Sequence, residues 1–282
     1  IRENNIIFVA DNIGYLYAYD YKKRILVWAK NYKIPFRSNF KISKNKIFIA
    51  NQDNILNIID KSNGQKLKTI PTEQVVLKNE FSNSLANNNK SLFYLNTFGS
   101  IYSINNKNLN LEWFVSLNQS SNKNFTSLFF SHPIIVHKKN LIVSTEPNLY
   151  ILDSLNGSVT FKKPIRSSVK PIVSGNFLYT ITKDGLLICI NLASKKIIYS
   201  ISIGQQIAEY LKTKERTLSI RYLSIINSKL YIFLNNAFVV KFKPEGIISE
   251  ISKLPDKIGV NPIFVKDSIL SINKKNKLII VN

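Results

Sequence analysis

One pattern recurs seven times along the chain, and this repetition limits the folds open to it. The segments are IIFVADNIGYLYAYD from Ile6, KIFIANQDNILNIID from Lys46, SLFYLNTFGSIYSIN from Ser91 and LIVSTEPNLYILD from Leu141. FLYTITKDGLLICIN from Phe177, LYIFLNNAFVVKF from Leu230 and ILSINKKNKLIIVN from Ile269 complete the series. Each reads as an apolar strand, a tight turn and a second apolar strand. The turns Asp11-Asn12-Ile13-Gly14, Asn51-Gln52-Asp53-Asn54, Asn96-Thr97-Phe98-Gly99 and Lys183-Asp184-Gly185 use residues that tolerate a positive φ in short hairpins. The units recur roughly every 36 to 53 residues, the spacing of four-stranded propeller blades.

Two further strands complete each unit. A short strand opened by Ser or Pro precedes most hairpins, as at Arg37 to Ile42, His132 to Val136, Lys170 to Val173 and Asn261 to Val265. Proline suits a strand's first residue, where its missing N–H costs least. A fourth strand follows after a turn, at Ile25 to Trp28, Leu109 to Trp113, Val159 to Phe161 and Ile197 to Tyr199. Helical periodicity is nearly absent. The pattern predicts an all-β propeller of four-stranded blades, one domain over residues 1–282. The last unit has only three strands and the first has no partner before Ile6. A propeller removes its sheet edges by pairing its last blade with its first. The expectation is therefore that strands or a blade preceding Ile1 complete seven or eight blades.

The turn before the fourth strand has a fixed offset. Asp20 is followed eight residues later by Trp28, Asn105 by Trp113, Asp153 by Phe161 and Asn191 by Tyr199, whereas Asp60 is followed by Lys68. Gly64 and Gly157 stand four residues after their Asp, where a positive φ is expected. Ala18, Asp20 and Trp28 match the docking motif A-x-D-x-x-T-G-x-x-x-W. Asp60 with Gly64, and Asp153 with Asn156 and Gly157, match it in part. On these residues the chain resembles the pyrroloquinoline-quinone-type (PQQ-like) β-propellers over nearly its whole length. The resemblance implies that Trp28, Trp113, Phe161 and Tyr199 pack between blades, held by the turn Asp and Gly residues.

The charge and the chemistry-bearing residues narrow the function. The chain has 39 Lys plus Arg against 17 Asp plus Glu, a formal charge of +22. Only Arg2, Arg24, Arg37, Arg166, Arg216 and Arg221 are arginines, yet arginine supplies the fork that nucleic-acid surfaces favour. Lysine here accompanies abundant Asn and Ile and sits singly or in pairs in turns. That composition points to AT-rich coding rather than to a nucleic-acid partner. No apolar run reaches the length of a membrane helix. A single cysteine excludes an internal disulfide, and Cys189 lies in the apolar strand Leu186 to Ile190. His132 and His137 sit near the ends of one strand and point to opposite faces, a poor arrangement for joint ligation. No nucleophile-elbow or phosphate-loop motif is present. The reading is a non-enzymatic protein with no catalytic residue, cofactor or metal.

Three connections are longer than the rest: Ile70 to Ala86, Leu117 to Ser131 and Gly204 to Ile220. Their apolar members Val75, Leu77, Phe81, Leu85, Phe125, Leu128, Phe129, Tyr210 and Leu211 are candidate partner contacts, or insertions packed on the propeller. Ile207, Tyr210 and Leu211 have helical spacing and predict a short amphipathic helix. Within the PQQ-like group the chain is most similar to the BamB branch of outer-membrane assembly lipoproteins. That resemblance implies a scaffold in the bacterial periplasm. It also implies a protein partner such as a BamA-like assembly component, met through loops of two neighbouring blades. Membrane association would come only through an anchor preceding Ile1. A quinone-binding dehydrogenase-related propeller is the alternative.

Overall fold

A computed structural model describes residues 1–73, 82–118, 129–265 and 268–281. They form seven antiparallel sheets in chain order. Sheet 1 comprises Arg2–Glu3, Ile6–Ala10, Tyr15–Asp20 and Ile25–Asn31; sheet 2 comprises Lys41–Ser43, Lys46–Ala50, Leu56–Asp60 and Lys66–Ile70. Sheet 3 holds Ser84–Asn87, Ser91–Leu95, Ser100–Asn105 and Leu111–Ser116, and sheet 4 holds Ile135–His137, Asn140–Ser144, Leu149–Asp153 and Val159–Lys163. Sheet 5 contains Ile172–Ser174, Phe177–Ile181, Leu186–Asn191 and Lys196–Ser202. Sheet 6 contains Ile220–Ile226, Lys229–Leu234, Phe238–Phe242 and Ile248–Lys253, and sheet 7 contains Ile263–Val265, Ser268–Ile272 and Leu278–Val281. Sequence neighbours are sheet neighbours throughout, so each sheet is an up-and-down meander of the kind that forms a propeller blade. The chain divides into two compact units, residues 1–143 with 151–159 and residues 144–150 with 160–282.

Burial explains why the repeats read as they do. In sheets 2 to 4 the two middle strands are covered on both faces and are therefore nearly continuously apolar. Phe48, Ile49, Ile58 and Ile59 in sheet 2 are all fully buried. The fourth strand is the opposite. In Ile25–Asn31 only Trp28 is buried, and in Val159–Lys163 only Phe161. In these two sheets the outer strand thus contributes one side chain to the interior, and that side chain is the aromatic.

The turn before the fourth strand has one construction in sheets 1 to 5. The Asp or Asn side chain caps it: Asp20 Oδ1 accepts from the backbone N–H of Lys22 and Lys23, Asp60 Oδ1 from Ser62, and Asp153 Oδ1 from Leu155. Asn105 and Asn191 do the same for the residues two and three positions on. The residue four positions on has a positive φ in every case: Arg24, Gly64, Leu109, Gly157 and Lys195. The aromatic then lies opposite the residue two before the Asp or Asn, through a β-bulge, as in Ala18↔Trp28, Ser103↔Trp113 and Cys189↔Tyr199. This geometry sets the eight-residue offset.

The aromatics reach the turn of the following sheet. Trp28 Nε1 donates to Lys61 O at 3.1 Å, and a Cβ on Gly64 would stand 2.7 Å from the Trp28 ring. Trp113 Nε1 donates to Ser154 O at 3.2 Å, with Gly157 equally close beneath its ring. Tyr199 OH donates to Pro244 O at 2.7 Å beside Gly246. Gly64 and Gly157 answer a double demand, since φ is positive and the ring leaves no room for a side chain.

Two sequence-based expectations are corrected. The first hairpin does have a partner before Ile6: Arg2–Glu3 pairs with Ile6 and Ile7. Asn4, at φ 52°, makes the tight turn, and the main chains of Ile1 and Phe8 bond to each other. His132 and His137 do not share a strand. The strand is only Ile135–His137, and His132 lies ahead of it with its ring edge-on to Phe130.

Candidate functional site

The first two long connections meet the structure at a polar cluster on sheets 2 and 3. It is built on two hairpin turns, 51–54 and 96–99. Asn51 Oδ1 accepts from the backbone of Asp53 and Ile55, and Asn96 Oδ1 from Phe98 and Ser100. Asn side chains that cap their own turns explain why Asn recurs at these places. Across the two turns, Asn54 Nδ2 donates to Thr97 Oγ1 at 3.0 Å, and both residues are buried.

All four described ends of the two connections are tied to this pair of turns. The first connection departs where Thr72 Oγ1 donates to Asn54 O at 2.7 Å. Next to it, the Glu73 carboxylate accepts from Asn96 Nδ2, from Tyr102 OH at 2.6 Å and from Ser100 Oγ. The connection returns at Asn83, whose Nδ2 donates to Asn51 O at 2.9 Å. The second departs where Leu117 N–H donates to Gly99 O, and returns where Phe129 N–H donates to Thr97 O, both at 2.9 Å. The Phe129 ring covers Gly99 so closely that a Cβ there would meet it at 2.6 Å.

Glu73 is the electrostatic centre of the cluster. Burial pushes its carboxyl up, but the donors Ser100, Tyr102 and Asn96 more than offset this and hold it below the usual carboxylate range. Burial, and then the Glu73 charge, push the Tyr102 hydroxyl up, so it stays a donor. The cluster binds and orders loop ends; its carboxylate is fully engaged. Sequence reasoning overlooked Glu73. The available signal was a lone acid beside Pro71 and Thr72 in a chain with only 17 Asp plus Glu.

The candidate partner residues fall into three groups. Val75, Leu77, Phe81, Phe125 and Leu128 lie outside the described residues. Leu85 is corrected: it sits in strand Ser84–Asn87, only 1% exposed, because it pairs with Tyr94 inside the core of sheets 2 and 3. Phe129 is half-buried on Gly99, while its neighbour Phe130 is 44% exposed. Tyr210 and Leu211 are 50% and 49% exposed on helix α1, Ile203–Leu211.

Helix α1 follows directly from sheet 5. Ser202 caps it, accepting from Gln205 N–H, and Lys212 closes it in the left-handed conformation. Burial pushes the Cys189 thiol up, which disfavours the reactive thiolate. Among the described residues no group of three or more His, Cys, Asp or Glu is placed to hold a metal ion.

Comparison with known proteins agrees with this architecture. The family profile described as outer membrane protein assembly factor BamB matches residues 1–200. No curated protein matches. Among solved structures, BamB from Moraxella catarrhalis is similar with a TM-score of 0.62 and 10% identity, covering 99% of this chain and 94% of that one. The computationally designed protein Ika8 gives a TM-score of 0.56 at 10% identity, with 99% and 94% covered. The dihydro-heme d1 dehydrogenase NirN, in complex with DHE, gives 0.70 at 10% identity, with 99% of this chain and 61% of NirN covered. At such identities these structures share the fold alone. With seven meander sheets, a repeated docking turn and a profile match over most of its length, the chain belongs to the BamB family of PQQ-like β-propellers.

Proposed function

We propose that the protein is a non-enzymatic scaffold of the bacterial periplasm that assists assembly of β-barrel proteins into the outer membrane. It binds a partner protein, a BamA-like assembly component, beside the turns 51–54 and 96–99. One observation carries the reading. Two long connections start and finish on the same pair of turns, held there by Thr72, Glu73, Asn83, Leu117 and Phe129. Irregular connections on a rigid scaffold are where proteins concentrate binding. A buried network joining their ends holds them side by side at little further entropic cost on binding. Membership of the BamB family supports a protein partner and a periplasmic, outer-membrane-associated location. The one cysteine is buried, which supports a binding role over thiol-based catalysis.

The test is recovery of partners. Full-length protein, purified through a tag in mild detergent, is expected to bring down a β-barrel assembly component. Phe130→Asp, at an exposed position beside the cluster, is expected to reduce that recovery without lowering the unfolding midpoint. Recovery of no assembly component by the unsubstituted protein overturns the reading.

A further inference from the structure

Helix α1 forms one wall of a cleft of about 400 Å³ against sheet 6. The walls are apolar: Ile207 and Leu211 from the helix, Leu218 from the segment after it, and Phe238, Val240 and Ile251 from sheet 6. Two exposed cations, Lys214 and Arg216, also line it. Among the described residues neither cation has a carboxylate or hydrogen-bond partner. The nearby carboxylates are committed elsewhere. Glu215 accepts from Ser202 Oγ at the helix start and lies tight over Gly204. Glu209 accepts from Gln205 and Gln206, and Glu250 pairs with Lys241 at 2.8 Å. The segment after the helix is therefore clasped back to the helix N-terminus through Glu215, which leaves Lys214 and Arg216 on the cleft uncompensated.

An apolar cleft with uncompensated cations suits one ligand chemistry, an apolar chain ending in an anion. The volume lies in the range of small-molecule sites, roughly 300–1,000 Å³. We propose that this cleft binds a long-chain carboxylate, with the chain between α1 and sheet 6 and the carboxylate paired with Lys214 and Arg216. This goes beyond the scaffold reading and does not depend on it.

The test uses monomeric dodecanoate, below its micelle concentration, titrated into the whole protein and followed by calorimetry. Saturable one-to-one binding is expected. Dodecanol and dodecyltrimethylammonium are expected to bind at least about tenfold more weakly, since a charge-assisted pair is lost or reversed. The doubly exposed variant Lys214→Glu/Arg216→Glu is expected to lose about tenfold for dodecanoate and to gain for the trimethylammonium. Ala208→Trp, at a half-buried position lining the cleft, is expected to abolish binding of all three. Absence of dodecanoate binding overturns the proposal. So do equal affinity for the cationic amphiphile, and unchanged binding in the charge-reversed or cleft-filled variant.

Discussion

Two joints in the first compact unit use the same turn and fill it differently. At the joint of sheets 1 and 2, Trp28 lies on Gly64 and donates to Lys61 O. At the joint of sheets 2 and 3, Lys68 holds the aromatic's place, and its Nζ donates to Leu109 O at 2.9 Å. Leu109 occupies the left-handed position that Gly64 holds in the other joint, and its side chain packs on the core of sheets 2 and 3. The two turns keep the same side-chain cap and the same backbone bond, from Gly64 N–H to Asp60 O and from Leu109 N–H to Asn105 O. The backbone of the turn is therefore the constant, and the side chain that covers it can vary. The Trp28 ring lies so close that the left-handed position beneath it has no room for a Cβ. A lysine leaves room for a leucine, which then supplies the apolar contact from the turn itself.

This difference can be broken at either joint. The largest effect is expected from Trp28→Ala, which removes a buried ring and its hydrogen bond at a cost of about 3–5 kcal/mol. Chemical denaturation of the full chain measures it, and a cost no greater than that of Lys68→Ala would end the distinction between the joints. Gly64→Ala comes next, at about 1–3 kcal/mol, because the new Cβ meets the ring at 2.7 Å and φ is +71°. If the ring is the cause, Gly64→Ala costs clearly less in a Trp28→Ala background.

Glu73→Gln is expected to cost about 1–3 kcal/mol by weakening bonds to a charged acceptor, and to remove part of the acid sensitivity. The sign follows from the lowered value of Glu73. Its stabilising contribution is complete above the unfolded carboxylate value of about 4.3 and is lost as pH falls through the lower folded value. The unsubstituted protein should therefore lose more stability between about pH 5 and about pH 3 than the variant. Equal slopes in denaturation at several pH values would refute this. The smallest effect is Lys68→Ala, below about 1 kcal/mol, as for other exposed polar contacts. A loss as large as that of Trp28→Ala would mean that the lysine carries its joint as the tryptophan does.

Much of the fold was legible because its determinants are local. Alternating turn chemistry and apolar runs marked the hairpins, and Asp20, Asp60, Asn105, Asp153 and Asn191 marked the second turn because each side chain caps its own backbone. The helical spacing of Ile207, Tyr210 and Leu211 was likewise a local signal, matched by α1 over Ile203–Leu211. Arg2–Glu3 was missed because two residues carry no periodicity. Leu85 was misplaced because an apolar residue near a long connection reads alike whether it faces solvent or core; only its pairing with Tyr94 decides. The partners of Glu73 lie 23 to 29 positions away in sequence, beyond the reach of any local pattern.

The sequence by itself determined the repeat, the strands, the two kinds of turn and the place of each aromatic, since all of these follow from side chains acting on their own backbone. Tertiary structure alone decided what each aromatic covers, that two long connections share one pair of turns, and that Lys214 and Arg216 stand uncompensated on an apolar cleft. These depend on which segments approach one another across tens of residues. Burial and hydrogen-bond satisfaction settle that only when the whole chain has packed.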